Sequence, residues 1–225
     1  MADVMTKEGV ITKTTGLLLL TVVAAAMSWF KAVSAPEAIM PIMWVGIIGG
    51  FITAMIISFK RNLAQYLSPV YAILEGLAIG GISCFMEAQF PGIVYQAVLG
   101  TFAVFFTVLG LYAGRIIVVT EKVRGVIFSA TLAVLLIYLA SFLLSFFGVR
   151  VPFINDVSVI GIVISIIITL IAAANFLLDF DFIERGINNY APKQFEWYAS
   201  FGLMVTLIWV YIEILKLLAK FSRRR

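Results

Sequence analysis

The chain contains no histidine and a single cysteine, Cys84, which sits inside an apolar segment. One thiol cannot close an intrachain disulfide, and without histidine a Cys/His metal site, a Ser/His dyad or a His-bound catalytic metal has nothing to build on. No nucleophile stands beside a base, so an enzyme is not expected. Charge is scarce as well. Only 12% of the 225 residues are Asp, Glu, Lys or Arg and 63% are apolar, against roughly 25% charged in an ordinary soluble domain. That composition belongs to a membrane protein. The net charge of +4 would suggest nucleic acid in a soluble chain. Here the basic residues flank apolar runs, where they orient helices, and no nucleic-acid partner is expected.

What is present is apolar sequence in long blocks. A bilayer's hydrocarbon core is about 30 Å thick, so a helix rising about 1.5 Å per residue crosses it in roughly 20 residues. Seven runs are of that order: 14–33, 38–59, 69–86, 93–118, 126–147, 157–178 and 197–219. They lack apolar/polar alternation and exceed the roughly ten residues of a membrane barrel strand, so they read as helices. The expectation is an all-α, multi-pass membrane bundle of seven transmembrane helices in a lipid bilayer. Residues 1–13 form its N-terminal tail, 14–219 the transmembrane domain and 220–225 a basic C-terminal tail. A cleaved signal peptide is the alternative for the first run, since Lys7 and Lys13 precede it and small residues surround Ala35. The stretch 14–29 exceeds a usual signal core and Pro36 would follow the cut directly, so the run is read as a retained helix.

The six prolines fall between these runs or in their first turns, where a missing amide donor costs least. Ser68-Pro69 reads as an N-cap followed by a first-turn proline, and Asn155-Asp156 as a cap for the sixth helix. Glycines recur four apart at Gly46/Gly50, Gly76/Gly80 and Gly110/Gly114. That spacing puts both on one helix face and admits a close neighbour, within one bundle or at a dimer interface. For orientation, one set of alternating joints collects Lys60, Arg61, Arg115, Lys122, Arg124, Arg185 and Lys193, and the other only Lys31 and Arg150. The N-terminus is therefore expected in the cytoplasm. The basic C-terminal tail violates the rule: either the last segment crosses despite it, or that segment is re-entrant.

Ionisable groups within hydrocarbon cost at least about 2.5–3.5 kcal/mol, so each needs a reason. Glu75, in YAILEGLAIGG, has no basic residue one turn away and reads as pore-lining or proton-carrying. Glu213 precedes Lys216 by three residues, which suits an ion pair or a lining role. In NFLLDFDFIERG, Asp179 and Asp181 are about 200° apart around a helix and cannot both face one neighbour. Asn175 shares the face of Asp179, so Asp179 is expected to be buried and Asp181 to lie at the rim. Glu196, in QFEWYASFG, opens the seventh helix on the same membrane side.

These stretches, with SPVYAILEGLAIGGIS and PGIVYQAVLGTFAVF, resemble the Bax-inhibitor-motif membrane proteins, and in particular their bacterial branch, over nearly the whole chain. The resemblance implies a seven-helix bundle with the last helix central, acting as a pH-sensitive calcium leak in a bacterial plasma membrane. It also implies a proton-sharing pair formed by an aspartate late in helix six and another in helix seven, aided by an arginine near the end of helix two. The helix-six aspartate maps to Asp179, which Ile183 follows at the family's Asp-x-x-x-Ile spacing. The arginine maps to Arg61, or to Lys60. Counting back from Ile214-Leu215-Lys216, the helix-seven position is Thr206, so the pair is not two aspartates here.

Two carboxyls in contact cannot both ionise cheaply, which is why such a pair holds a proton. With Thr206 in the partner's place, Glu196 or Glu213 has to supply the second acid. The expected gate and pH sensor is an acidic cluster of Asp179 and Glu196 with Asp181 at the rim. Asp179 and Glu196 would meet calcium, a hard cation that takes oxygen ligands. No cofactor is expected beyond calcium as the transported ion. The alternative is a non-conducting regulator that binds and restrains another membrane complex, such as a membrane protease.

Overall fold

The computed structural model describes residues 4–148 and 156–224; Arg150, Pro152 and Asn155 lie outside them. Seven helices carry the chain: α1 (Lys7–Ser34), α2 (Ile39–Phe59), α3 (Ala64–Gln89), α4 (Ile93–Ala113), α5 (Glu121–Ser145), α6 (Val159–Asn188) and α7 (Phe195–Arg224). Each is long and apolar enough to cross a bilayer. Among the described residues the only β pairing is an isolated bridge between Val4 and Pro192. The architecture is the expected all-α, multi-pass bundle. Large apolar side chains such as Phe30, Phe59, Phe106 and Phe128 are exposed along its helices, a surface that acyl chains cover and water does not tolerate.

Five of the seven helices, all but α2 and α4, are longer than their apolar runs because they extend into the polar flanks. α1 starts at Lys7 because the Thr6 hydroxyl accepts the Gly9 N–H at 3.0 Å and Glu8 sits in the first turn, the positive end of the helix dipole. α5 starts at Glu121 in the same way, with Thr120 accepting from Val123 at 3.3 Å. At α6 the cap is Ser158, whose hydroxyl accepts from Gly161 at 3.2 Å. Asp156 instead accepts from the Ser158 N–H at 3.2 Å. Hydrogen bonds from Ser158, the side chain first, hold the exposed Asp156 carboxyl below its ordinary range. The start of α3 also departs from expectation. A 3-10 turn at Arg61–Leu63 leads into the helix at Ala64, so Ser68 and Pro69 lie inside it and Ser68 caps nothing.

Two helices stop on left-handed residues that are not glycine. α4 ends short of the expected residue 118, with Arg115 at φ 53° and the N–H groups of Arg115 and Ile116 bonded to Tyr112 O and Leu111 O, both at 3.0 Å. α6 ends likewise, with Tyr190 at φ 52° and the N–H groups of Tyr190 and Ala191 bonded to Ile187 O at 3.1 Å and Gly186 O at 2.9 Å. Both are Schellman turns, which satisfy carbonyls the helix would otherwise leave open.

α7 is one unbroken helix of 30 residues, about 45 Å long at 1.5 Å per residue. That is long enough to cross a bilayer, and the helix has no break of the kind a re-entrant segment would use. Its apolar window is 61% buried, against 11–39% in the other six helices.

The chain forms two compact units. Unit 1 comprises Met1–Pro91 and Phe182–Val205, and small residues bring its helices together. A Cβ on Gly46 would lie 2.6 Å from Leu74 O and 2.7 Å from Ala78 N, so α2 and α3 touch backbone to backbone there. Gly76 and Gly80 face Thr21 O and Ala25 O of α1 in the same way, and Ser28 donates to Leu77 O at 2.7 Å. Two of the three glycine pairs thus serve packing within one chain. The third does not, since a Cβ on Gly110 would meet open space. Unit 2 comprises Gly92–Asp181 and Thr206–Arg225. Its centre packs Val119, Ile127 and Leu177 against Val108, Tyr112, Val123 and Ala174. Beside it Phe105 meets Phe176 at 5.2 Å and Phe180 at 5.7 Å between ring centroids, edge to face.

Candidate functional site

The last turns of α6 are fixed in unit 2 by these aromatic rings, which bury Phe176 and Phe180 and so set the directions of the polar side chains between and beside them. Asn175 turns to α5, donating to Thr131 Oγ1 at 2.8 Å and to Ile171 O at 2.8 Å. Asp179 turns to α7: its Oδ2 accepts the Thr206 hydroxyl at 2.6 Å. Asp181 takes the Arg124 guanidinium of α5, whose other nitrogen holds both oxygens of Glu121 at 2.9 and 3.1 Å. Both aspartates are largely enclosed: Asp181 is 9% exposed and Asp179 is half-buried by surface area, with its carboxyl turned inward onto Thr206. A 200° separation puts the two on opposite faces, but it does not say which face meets a cation on another helix.

Further along α7, Glu213 is buried at 2% exposure and accepts from the Tyr138 hydroxyl at 2.9 Å and from Lys216 Nζ at 3.1 Å. The expected i,i+3 pair is present, and Lys216 also stands over the Tyr138 ring, 4.6 Å from its centroid. One turn on, Lys220 is buried and donates to Ser165 Oγ at 2.7 Å and Gly161 O at 3.0 Å.

In unit 1, Glu196 is 0% exposed and is the anchor of the N-terminal segment. Its Oε1 accepts from the Thr6 N–H and hydroxyl, both at 2.9 Å, and its Oε2 pairs with Lys13. Gly9 leaves room for this group: a Cβ there would overlap the Glu196 carboxylate, which would have to shift. Met5 N–H donates to Ala191 O at 2.8 Å, and Ser200 donates to Val10 O at 3.1 Å. Arg61 lies over the Tyr198 ring, 5.2 Å from its centroid. Glu75 faces Gly50 of α2. The carboxylates thus engage separately, Asp179 with Thr206, Asp181 with Arg124 and Glu196 with Thr6 and Lys13. No group of three His, Cys, Asp or Glu able to hold a metal ion occurs among the described residues.

Sequence reasoning missed Arg124, Tyr138, Thr6, Lys13 and Lys220 as partners of these groups. Thr6 had a local signal, as a hydroxyl residue just before the acidic first turn of α1. The others are joined across 55 to 183 positions, for which one sequence gives no cue.

Seven apolar helices with carboxylates held along the last two define an integral, multi-pass membrane protein. Over residues 1–223 the chain matches the family described as Bax inhibitor 1 like, and it belongs to that family. Comparisons with curated proteins and with solved structures give no match.

Proposed function

We propose that the protein is a pH-sensitive cation leak, with calcium as the ion, gated where α6 meets α5 and α7 in unit 2. The observation that carries this reading is the Arg124 guanidinium, shared between Asp181 of α6 and Glu121 of its own helix. This ion pair ties α5 to α6 at the gate. The proton that sets the leak is carried by Asp179, where α6 meets α7 through Thr206. Asp179, accepting from Thr206, offers α7 a second such contact and presents an oxygen to a passing cation. In this reading calcium is the transported ion and not a resident cofactor.

The setting of this reading is a bacterial plasma membrane with the N-terminus in the cytoplasm, the side favoured by the basic joints. No catalytic step is assigned. The second reading, a non-conducting regulator that restrains another membrane complex such as a protease, is favoured by Thr206, which replaces the second aspartate of the proton-sharing pair. Purified protein in calcium-loaded liposomes separates the two. The leak reading requires calcium efflux that depends on pH and changes in Asp181→Asn and Asp179→Asn. Silent liposomes together with a co-purifying membrane complex support the regulator.

A further inference from the structure

The C-terminal half of α7 carries four cations, Lys216, Lys220, Arg223 and Arg224, and one acid, Glu213. The cations recur at i, i+4, i+7 and i+8, which confines them to a stripe about 100° wide on one side of the helix. Two of them are fixed by neighbouring helices. Lys216 binds Glu213 at 3.1 Å and lies over the Tyr138 ring, yet its side chain stays 43% exposed. Lys220 is buried and donates to Ser165 Oγ and Gly161 O of α6. The last turn beyond them is open, with Phe221, Arg223 and Arg224 exposed.

Little acid surrounds this stripe within unit 2. A Cβ on Gly100 of α4 would touch Ile214, Tyr138 of α5 binds Glu213, and Ser165 of α6 binds Lys220. The start of α4, the end of α5 and the start of α6 therefore lie around the end of α7. α4 carries no charged residue and α5 none after Arg124, and at the start of α6 Asp156 is the one acid among the described residues. The basic joints collect on the side of the N-terminus, so these cations stand on the side otherwise poor in them.

The level is that of the lipid headgroups. α7 has 30 residues and is about 45 Å long, as long as a bilayer is thick with its headgroup layers, about 40–45 Å, of which hydrocarbon fills about 30 Å. Its end turns therefore leave the hydrocarbon. Phe146 and Phe147, where α5 stops, are exposed at the same end. Cations beside apolar rings fit an amphiphile with an anionic head and acyl chains, whereas a water-soluble anion would engage the cations alone.

We propose that this end of unit 2 is a docking surface for anionic phospholipids of the surrounding leaflet. Arg223 and Arg224 take the headgroup phosphodiester, to which a planar guanidinium offers paired N–H donors. Lys216 and Lys220, held by Glu213 and by α6, keep the surface positive beneath it, and Phe221 meets the upper part of an acyl chain. The surface lies beyond Thr206 along α7 and stands whether or not the chain conducts calcium.

Native mass spectrometry of the full chain in detergent, titrated with phosphatidylglycerol or with phosphatidylcholine, tests the proposal. The wild-type protein should bind phosphatidylglycerol in preference. Arg223→Gln/Arg224→Gln should weaken that binding by about thirtyfold, the equivalent of about 1 kcal/mol for each charge removed. Lys7→Gln/Lys122→Gln removes two exposed charges at the opposite ends of the helices and should leave the binding unchanged, because charges so far apart are screened from one another. Equal affinity for the two lipids, equal losses in the two double variants, or glycerol phosphate binding as tightly as the lipid overturns the surface. The first outcome denies the charge, the second the local site and the third the acyl contact.

Discussion

Removing Lys13 should loosen the N-terminal segment selectively. The pair it forms with Glu196 is nearly enclosed, at 16% exposure for the lysine side chain and 0% for the glutamate. Deleting one partner of a fully buried pair costs about 3–5 kcal/mol, because the other charge is left without compensation. Lys13→Met leaves Glu196 with two donors from Thr6, each charge-assisted and worth about 1.5–3 kcal/mol, so the loss should fall to about 2 kcal/mol. Glu196→Gln should cost less, about 1 kcal/mol, because the amide oxygen still accepts from Thr6 and the Lys13 ammonium can reach outward along its alkyl stem. The double variant should lose less than the two single losses added, since neither charge remains unpaired. Hydrogen exchange read by mass spectrometry is the direct assay. The Met5 and Val10 amides, bonded to Ala191 O and Thr6 O, should lose about thirtyfold in protection in Lys13→Met, while amides in the middle of α5 keep theirs. Protection unchanged at Met5 and Val10 would refute the reasoning and leave the ion pair an ornament of the surface.

Three further outcomes follow from the packing. Gly46→Ala should destabilise by about 1–3 kcal/mol, since its Cβ meets backbone that cannot give way, whereas Gly110→Ala, facing open space, should stabilise by up to about 1 kcal/mol. Unfolding in a denaturing detergent series reads both, and equal effects would contradict the packing assignment. Tyr190→Gly, at a left-handed position, should raise stability by about 1 kcal/mol, and a loss there would mean that the tyrosine ring makes a contact worth more than the strain. Arg124→Gln leaves Asp181 buried without its cation and should lower Tm by several degrees, with Arg124→Gln/Asp181→Asn recovering part of the loss; no recovery would mean that the two side chains act independently.

Much of the fold was legible because hydrophobicity dictates it. A run of about twenty apolar residues has one stable form in lipid, a helix, and all seven were placed by that argument alone. Their ends were not, because Thr6 and Thr120 extend α1 and α5 into polar flanks, and Arg115 stops α4 while its sequence is still apolar. Ser68-Pro69 imitates a helix start yet lies inside α3, entered through a 3-10 turn that leaves no strong sequence mark. Of the polar sites, Glu213–Lys216 was readable as a local pair on one helix. Asp181–Arg124 and Glu196–Lys13 were not, because periodicity says which face a carboxylate occupies but not which helix brings the cation. The resemblance pointed to Arg61, or Lys60, as the arginine of the gate; Arg61 lies over the Tyr198 ring in unit 1, and the Arg124–Asp181 pair of unit 2 had no cue in either the residues or the resemblance.

Calcium efflux from liposomes containing the wild-type chain and Asp179→Asn, recorded across neutral pH, tests the central claim most directly. The account predicts a wild-type leak that changes with pH and a variant whose leak is fixed at one level because the amide facing Thr206 can neither take up nor release a proton. A wild-type protein that passes no calcium at any pH, or a variant with an unaltered pH profile, would contradict it.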